Sequence, residues 1–157
     1  MLTKQPDQPA SALSELYKTD FHAWTRRAAE LVRQHKLDAL NLEDLAEELD
    51  SMGAKERREL MSRLDVLISH LLKWAFQPER RTNSWDGTIR EQRRQIARAI
   101  KLSPSLKPFL PEALTDVYPD AVERAVFETG LPEHLFPQDC PYSLDEILDR
   151  TFYPGEP

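Results

Sequence analysis

One stretch of the chain constrains its fold more than any other. Leu60, Leu64, Leu67, Ile68, Leu71, Leu72 and Ala75 recur at steps of three and four, the spacing of one wide face of an α-helix. A strand cannot use that spacing, because its side chains alternate between two faces. A helix with so broad an apolar face must be covered on several sides, so the stretch 54–75 is expected to be the centre of a helical bundle.

Punctuation elsewhere agrees. Among 157 residues there are 12 prolines and only 4 glycines. Scarce glycine and few β-branched runs disfavour a sheet protein, and scattered prolines suit helices separated by short breaks. Phe21, Trp24, Ala28, Leu31 and Val32 predict a first helix from about Asp20 to Lys36, capped by Thr19 or Asp20. Asn41 can cap a second, with the stripe Leu42, Leu45, Ala46 and Leu49, and Gly53 is expected to stop it. A fourth helix over about 84–101 carries Trp85, Ile89, Ile96, Ala97 and Ile100, with Asn83 or Ser84 as cap. Position 93 continues that stripe but is an arginine. Ser103-Pro104 opens a short helix over 105–110, followed by a longer one from Pro111 to Thr129, kinked at Pro119 and closed by Gly130. Ser143 and Glu146 form a capping-box pattern for a last short helix. The tail Phe152-Tyr153-Pro154 is expected to pack back. The expected architecture is all-α, a single compact bundle of six or seven helices. Residues 1–15 form a flexible lead-in, 16–153 one helical domain, and 154–157 a tail.

This length suffices for one real core. No segment approaches the roughly 18 apolar residues of a membrane span, and the N-terminus lacks the apolar run of a signal peptide. A single cysteine, Cys140, excludes an internal disulfide and a cysteine-cluster zinc site. A cytoplasmic protein without metal, cofactor or membrane contact is the expectation.

The net charge of −6 is unevenly spread. Residues 1–72 carry −3, residues 73–101 carry +5, and residues 102–157 carry −8. The basic middle interleaves Lys73, Arg80, Arg81, Arg90, Arg93, Arg94, Arg98 and Lys101 with Trp74 and Trp85. Arginine beside an exposed aromatic suits single-stranded nucleic acid, and equally an acidic protein surface. The plainer alternative is that these cations pair with the acidic C-terminal third of the same chain.

Several motifs then carry a resemblance. They are Leu16-Tyr17 with Asp20-Phe21 and Ala23-Trp24; Leu42-Glu43-Asp44-Leu45-Ala46-Glu47-Glu48 with Ser51-Met52-Gly53; His70-Leu71-Leu72-Lys73-Trp74 with Gln77-Pro78; Ser84-Trp85 with Thr88-Ile89-Arg90-Glu91-Gln92-Arg93; Ser103-Pro104-Ser105-Leu106; Glu128-Thr129-Gly130-Leu131; and Phe136-Pro137 with Cys140-Pro141-Tyr142. In this order, over about residues 13–153, the chain resembles the bacterial domain-of-unknown-function family twenty-nine, common in cyanobacteria and proteobacteria. The resemblance implies an all-helical fold. It brings no established activity and no site residues.

The residues themselves offer three enzymatic arrangements. Arg63 and His70, two helical turns apart, match a spacing used by some small helical ribonucleases, where histidine moves the proton and arginine steadies the phosphate. Leu64 stands where that group favours a polar residue. Glu43, Glu47 and Asp50, followed by Glu56 and Glu59, resemble the carboxylate pairs with which helical nucleotide pyrophosphohydrolases hold Mg²⁺, but in reversed order and with Arg57, Arg58 and Arg63 nearby. Cys140, with His134 close in sequence, reads better as a buried thiol than as a nucleophile. His22 and His35 are expected on the surface of the first helix, and Trp24, Trp74 and Trp85 in the core. The leading expectation is a non-enzymatic binding or adaptor module. Its working surface gathers Lys73, Trp74, Arg80, Arg81, Trp85 and Arg90, with a protein partner favoured over nucleic acid.

Overall fold

A computed structural model describes residues 8–155, with side chains described from Ala12 onward. The described residues are all-α, without a strand. Among the described residues six α-helices run in chain order: α1 (Gln8–Thr19), α2 (Phe21–Arg33), α3 (Leu42–Phe76), α4 (Asn83–Leu102), α5 (Leu110–Thr129) and α6 (Leu144–Leu148). Four short 3-10 turns occupy Leu37–Ala39, Pro78–Arg80, Pro104–Phe109 and Glu133–Leu135. The chain forms two compact units, 1–55 and 56–157, and α3 contributes to both.

In the first unit α1 and α2 bury Leu13, Trp24, Ala28 and Leu31 together with Leu40. Within the stretch expected as a lead-in, 1–15, the chain is helical from the start of Gln8–Thr19; the part before Gln8 lies outside the described residues. Asp20 caps α2 as expected, its carboxylate accepting from the Ala23 N–H at 3.0 Å. At the far end the His35 N–H donates to the Val32 carbonyl at 3.0 Å and the Lys36 N–H to the Leu31 carbonyl at 2.9 Å. These two bonds make a Schellman stop, with His35 in the left-handed position at φ 57°. Phe21 and Val32, expected in the core stripe, are 47% and 41% exposed instead.

The expected break at Gly53 does not occur. α3 is one helix of 35 residues, and Gly53 lies inside it. Glycine costs a helix interior only about 1 kcal/mol against alanine, and the good helix formers on both sides outweigh it.

In the second unit Leu60, Leu64, Leu67, Ile68, Leu71 and Leu72 are each at most 1% exposed. They pack with Ile89 and Ile96 of α4, Leu110, Ala113, Val117, Ala121 and Ala125 of α5, and Phe136 and Ile147 beyond. The central role read from this stripe therefore holds. α4 is capped one residue earlier than expected, by Thr82, whose hydroxyl accepts from the Trp85 N–H. α5 continues through Pro119 and ends at Gly130, which takes φ 69°. Ser143 and Glu146 form the expected capping box of α6. Trp24 alone meets the expectation of full burial; Trp74 and Trp85 are half-buried.

Candidate functional site

The end of α3, the 3-10 turn after it and the start of α4 lie together in the second unit. Gln77 leaves the helix at φ −135°, and Pro78 starts the tight turn that carries Arg80. Arg81 reaches back, its Nε donating to the Trp74 carbonyl at 2.8 Å, and its guanidinium lies 5.2 Å from the centre of the Trp74 ring. Tyr153 of the tail packs on Trp74 at 5.0 Å between ring centres. The tail thus packs back as expected. Its hydroxyl donates to the Asp86 carboxylate, which also pairs with Arg90 Nε at 2.8 Å. The Tyr153 hydrogen bond, followed by Arg90, holds the Asp86 carboxyl below its ordinary value.

Together Trp74, Arg81, Thr82, Asn83, Asp86, Arg90 and Tyr153 line an open depression of about 340 Å³. Thr82 and Asn83 are the cap and first residue of α4. The positive end of a 20-residue helix therefore adds to the field of Arg81 and Arg90. Arg80 stands exposed in the preceding turn. Trp74, Arg80, Arg81 and Arg90 were expected in this region from sequence; Asp86, Thr82, Asn83 and Tyr153 were not. Asp86 was legible as the i−4 partner of Arg90; Tyr153, 67 residues from Asp86, was not.

Two expected members sit differently. Lys73 is only 5% exposed; its Nζ pairs with Glu128 of α5 at 2.6 Å and lies 4.5 Å from the centre of the Trp85 ring. Lys73 and Trp85 therefore form a built-in cation–π pair beside the depression and do not line it. Each indole carries one cation from the same chain over its ring.

Part of the basic segment is matched by the acidic C-terminal third. Lys73 has Glu128. Arg93, 2% exposed, donates from Nε to the Ile147 carbonyl at 2.7 Å and from Nη2 to the Glu146 carbonyl at 3.5 Å. Its guanidinium lies 5.4 Å from the Tyr153 ring centre. This explains an arginine on the apolar stripe of α4: it satisfies carbonyls at the C-terminal end of α6. The exposed cations behave otherwise. Arg90 and Arg94 pair within α4, with Asp86 and Glu91.

The enzymatic candidates are separately placed. Arg63 bonds Glu59 at 2.8 Å and Gln92 at 3.4 Å, and lines a cavity of about 280 Å³ with Glu56, Glu59, Gln95 and Arg98. His70 does not line that cavity. It is half-buried, with Nδ1 2.8 Å from the Val66 carbonyl, so Nδ1 must carry the proton. Burial pushes its imidazole below the ordinary 6.5. Among the described residues no group of three or more His, Cys, Asp or Glu side chains could hold a metal ion, and Glu43, Glu47 and Asp50 form no such group. Cys140 is half-buried, donates to the Tyr142 carbonyl at 3.4 Å, and is raised by burial, the reverse of an activated thiol. No helix among the described residues is long and apolar enough to cross a membrane.

Fold and site define an all-helical protein with a small aromatic and basic depression built on one helix junction. The chain belongs to the family described as Domain of unknown function DUF29, whose model matches residues 16–153. No curated protein and no solved structure matches it.

Proposed function

We propose that the protein is a non-enzymatic binding module of the cytoplasm, and that it takes an acidic segment of a protein partner in the depression between Trp74, Arg81, Arg90 and Tyr153. One observation carries this reading: the depression gathers two arginines and a helix N-terminus around a half-buried indole. Arg81 is held by the Trp74 carbonyl and Arg90 by Asp86, so both cations are oriented before a partner arrives. Arg80 widens the positive field at the rim.

The cation already lying over each indole favours a protein over nucleic acid. Base stacking needs an open ring face. Arg81 and Tyr153 lie against Trp74, and Lys73 lies against Trp85. Carboxylates need only the guanidinium edges.

The test is charge reversal. Arg80→Glu with Arg81→Glu is expected to abolish binding of a Glu-rich peptide and co-purification of any partner. Unchanged binding overturns the reading, as does a preference for a single-stranded oligonucleotide.

A further inference from the structure

The half of α3 in the first unit carries Leu42, Leu45, Leu49 and Met52, at i, i+3, i+7 and i+10. At 3.6 residues per turn these four fall within an arc of about 80° and repeat the a and d positions of two heptads. Leu45 is half-buried against the core of Leu13, Trp24 and Leu31. Leu42, Leu49 and Met52 are 58%, 61% and 59% exposed. A single exposed leucine is ordinary, but three long apolar side chains at coiled-coil spacing make a seam.

The seam has two unlike edges. Along one edge α1 is tied to α3, with Ser14 Oγ donating to Asp44 at 3.1 Å and Tyr17 to Glu48 at 3.5 Å. Along the other, beyond Ala46, stand Asp50, Glu43 and Glu47, all exposed and without an ion pair among the described residues.

We infer that this face docks an amphipathic helix of a partner protein, one with leucine-like residues on its contact face and Lys or Arg along one edge. Helical spacing of the exposed residues selects a helix rather than an extended segment, because an a/d seam offers holes for knobs. From Leu42 to Met52 the seam is about 15 Å long, room for nearly three turns. The carboxylate edge supplies the sign. A second copy of this chain would bring three more carboxylates, so charge complementarity favours a basic partner over self-association. The inference rests on residues 42–52 alone and stands independently of the basic depression.

Fluorescence anisotropy with the full chain tests it, using a labelled helical peptide with Leu at a and d and Lys at the flanking positions. A counterpart with Glu in place of Lys is the control. The Lys peptide is expected to bind saturably, and the Glu counterpart at least about tenfold more weakly. Leu49→Asp is expected to abolish binding although it adds negative charge, which separates docking from general attraction. Both side chains at position 49 face solvent, so far-ultraviolet circular dichroism should not change. Glu43→Lys with Glu47→Lys is expected to reverse the preference between the peptides. Equal binding of the two peptides, or binding retained in Leu49→Asp, overturns the inference. A concentration-dependent dimer that Leu49→Asp dissociates also overturns it, because the face would then close on a second copy.

Discussion

Arg93 donates from its Nε to the carbonyl oxygen of Ile147 at 2.7 Å, across 54 residues of sequence. Both residues are buried, and this contact fastens α6 to α4. Replacing the arginine leaves the buried Ile147 carbonyl without its side-chain donor, while the Glu146 carbonyl keeps the Asp149 N–H at 3.3 Å. Arg93→Ala is expected to cost about 2 kcal/mol, in the range for leaving a buried acceptor without its donor. Arg93→Lys should recover little, since an ammonium lacks the planar fork that reaches two carbonyls. Urea denaturation of the two variants checks both values.

Lys73 and Glu128 form the second long-range tie. The lysine is buried while the carboxylate is partly exposed. Glu128→Ala strands a buried cation and should cost about 3 kcal/mol. Lys73→Met removes the charge with the volume largely kept, and should be clearly better tolerated. Tryptophan fluorescence gives an independent readout, because Lys73 lies over Trp85. Its emission should change in Lys73→Met. An order of stability opposite to this one would contradict the account.

These two ties show where the sequence was legible and where it was not. The apolar stripe of α3, the cap at Asp20, the stop at Gly130 and the capping box at Ser143 are local patterns, and all were readable. Arg93 could be seen to interrupt an apolar stripe, but its partners lie in a five-residue helix whose place only tertiary packing sets. The merger of two expected helices through Gly53 shows a weak local signal overridden by its flanks. Tyr153 was expected to pack back, yet nothing local linked it to Asp86. Cations along 73–101 all look alike in sequence; the fold separates buried Lys73 and Arg93 from exposed Arg80 and Arg90.

His70 gives a pH prediction. Its burial lowers the imidazole below its ordinary 6.5, with Lys73 and Arg124 acting in the same direction and the Val66 carbonyl and Glu128 against it. As pH falls, the unfolded chain takes up this proton first. Stability present above about pH 6.5 is therefore lost progressively as pH drops toward the lowered value. His70→Gln should flatten that part of the stability–pH curve. The same variant tests the ribonuclease alternative: the purified protein is expected to cleave no RNA, with or without Mg²⁺, before or after substitution.

Three backbone positions should respond in different directions. A Cβ at Gly53 meets nothing within 4 Å, so Gly53→Ala should stabilise α3 by up to about 1 kcal/mol. Gly130 holds φ 69°, and Gly130→Ala should cost about 1 kcal/mol. His35 occupies the same left-handed region at φ 57°, where His35→Gly should gain a similar amount. Thermal melts of the three variants give the comparison.

Salt-dependent anisotropy measures whether the basic depression takes an acidic segment. A labelled Glu-rich peptide is titrated with the full chain and with Arg80→Glu/Arg90→Glu, beside a single-stranded oligonucleotide. The peptide is expected to bind, to weaken as salt rises, and to lose at least about tenfold in affinity in the variant. Equal peptide affinity in the two proteins, or tighter binding of the oligonucleotide, would contradict the proposal.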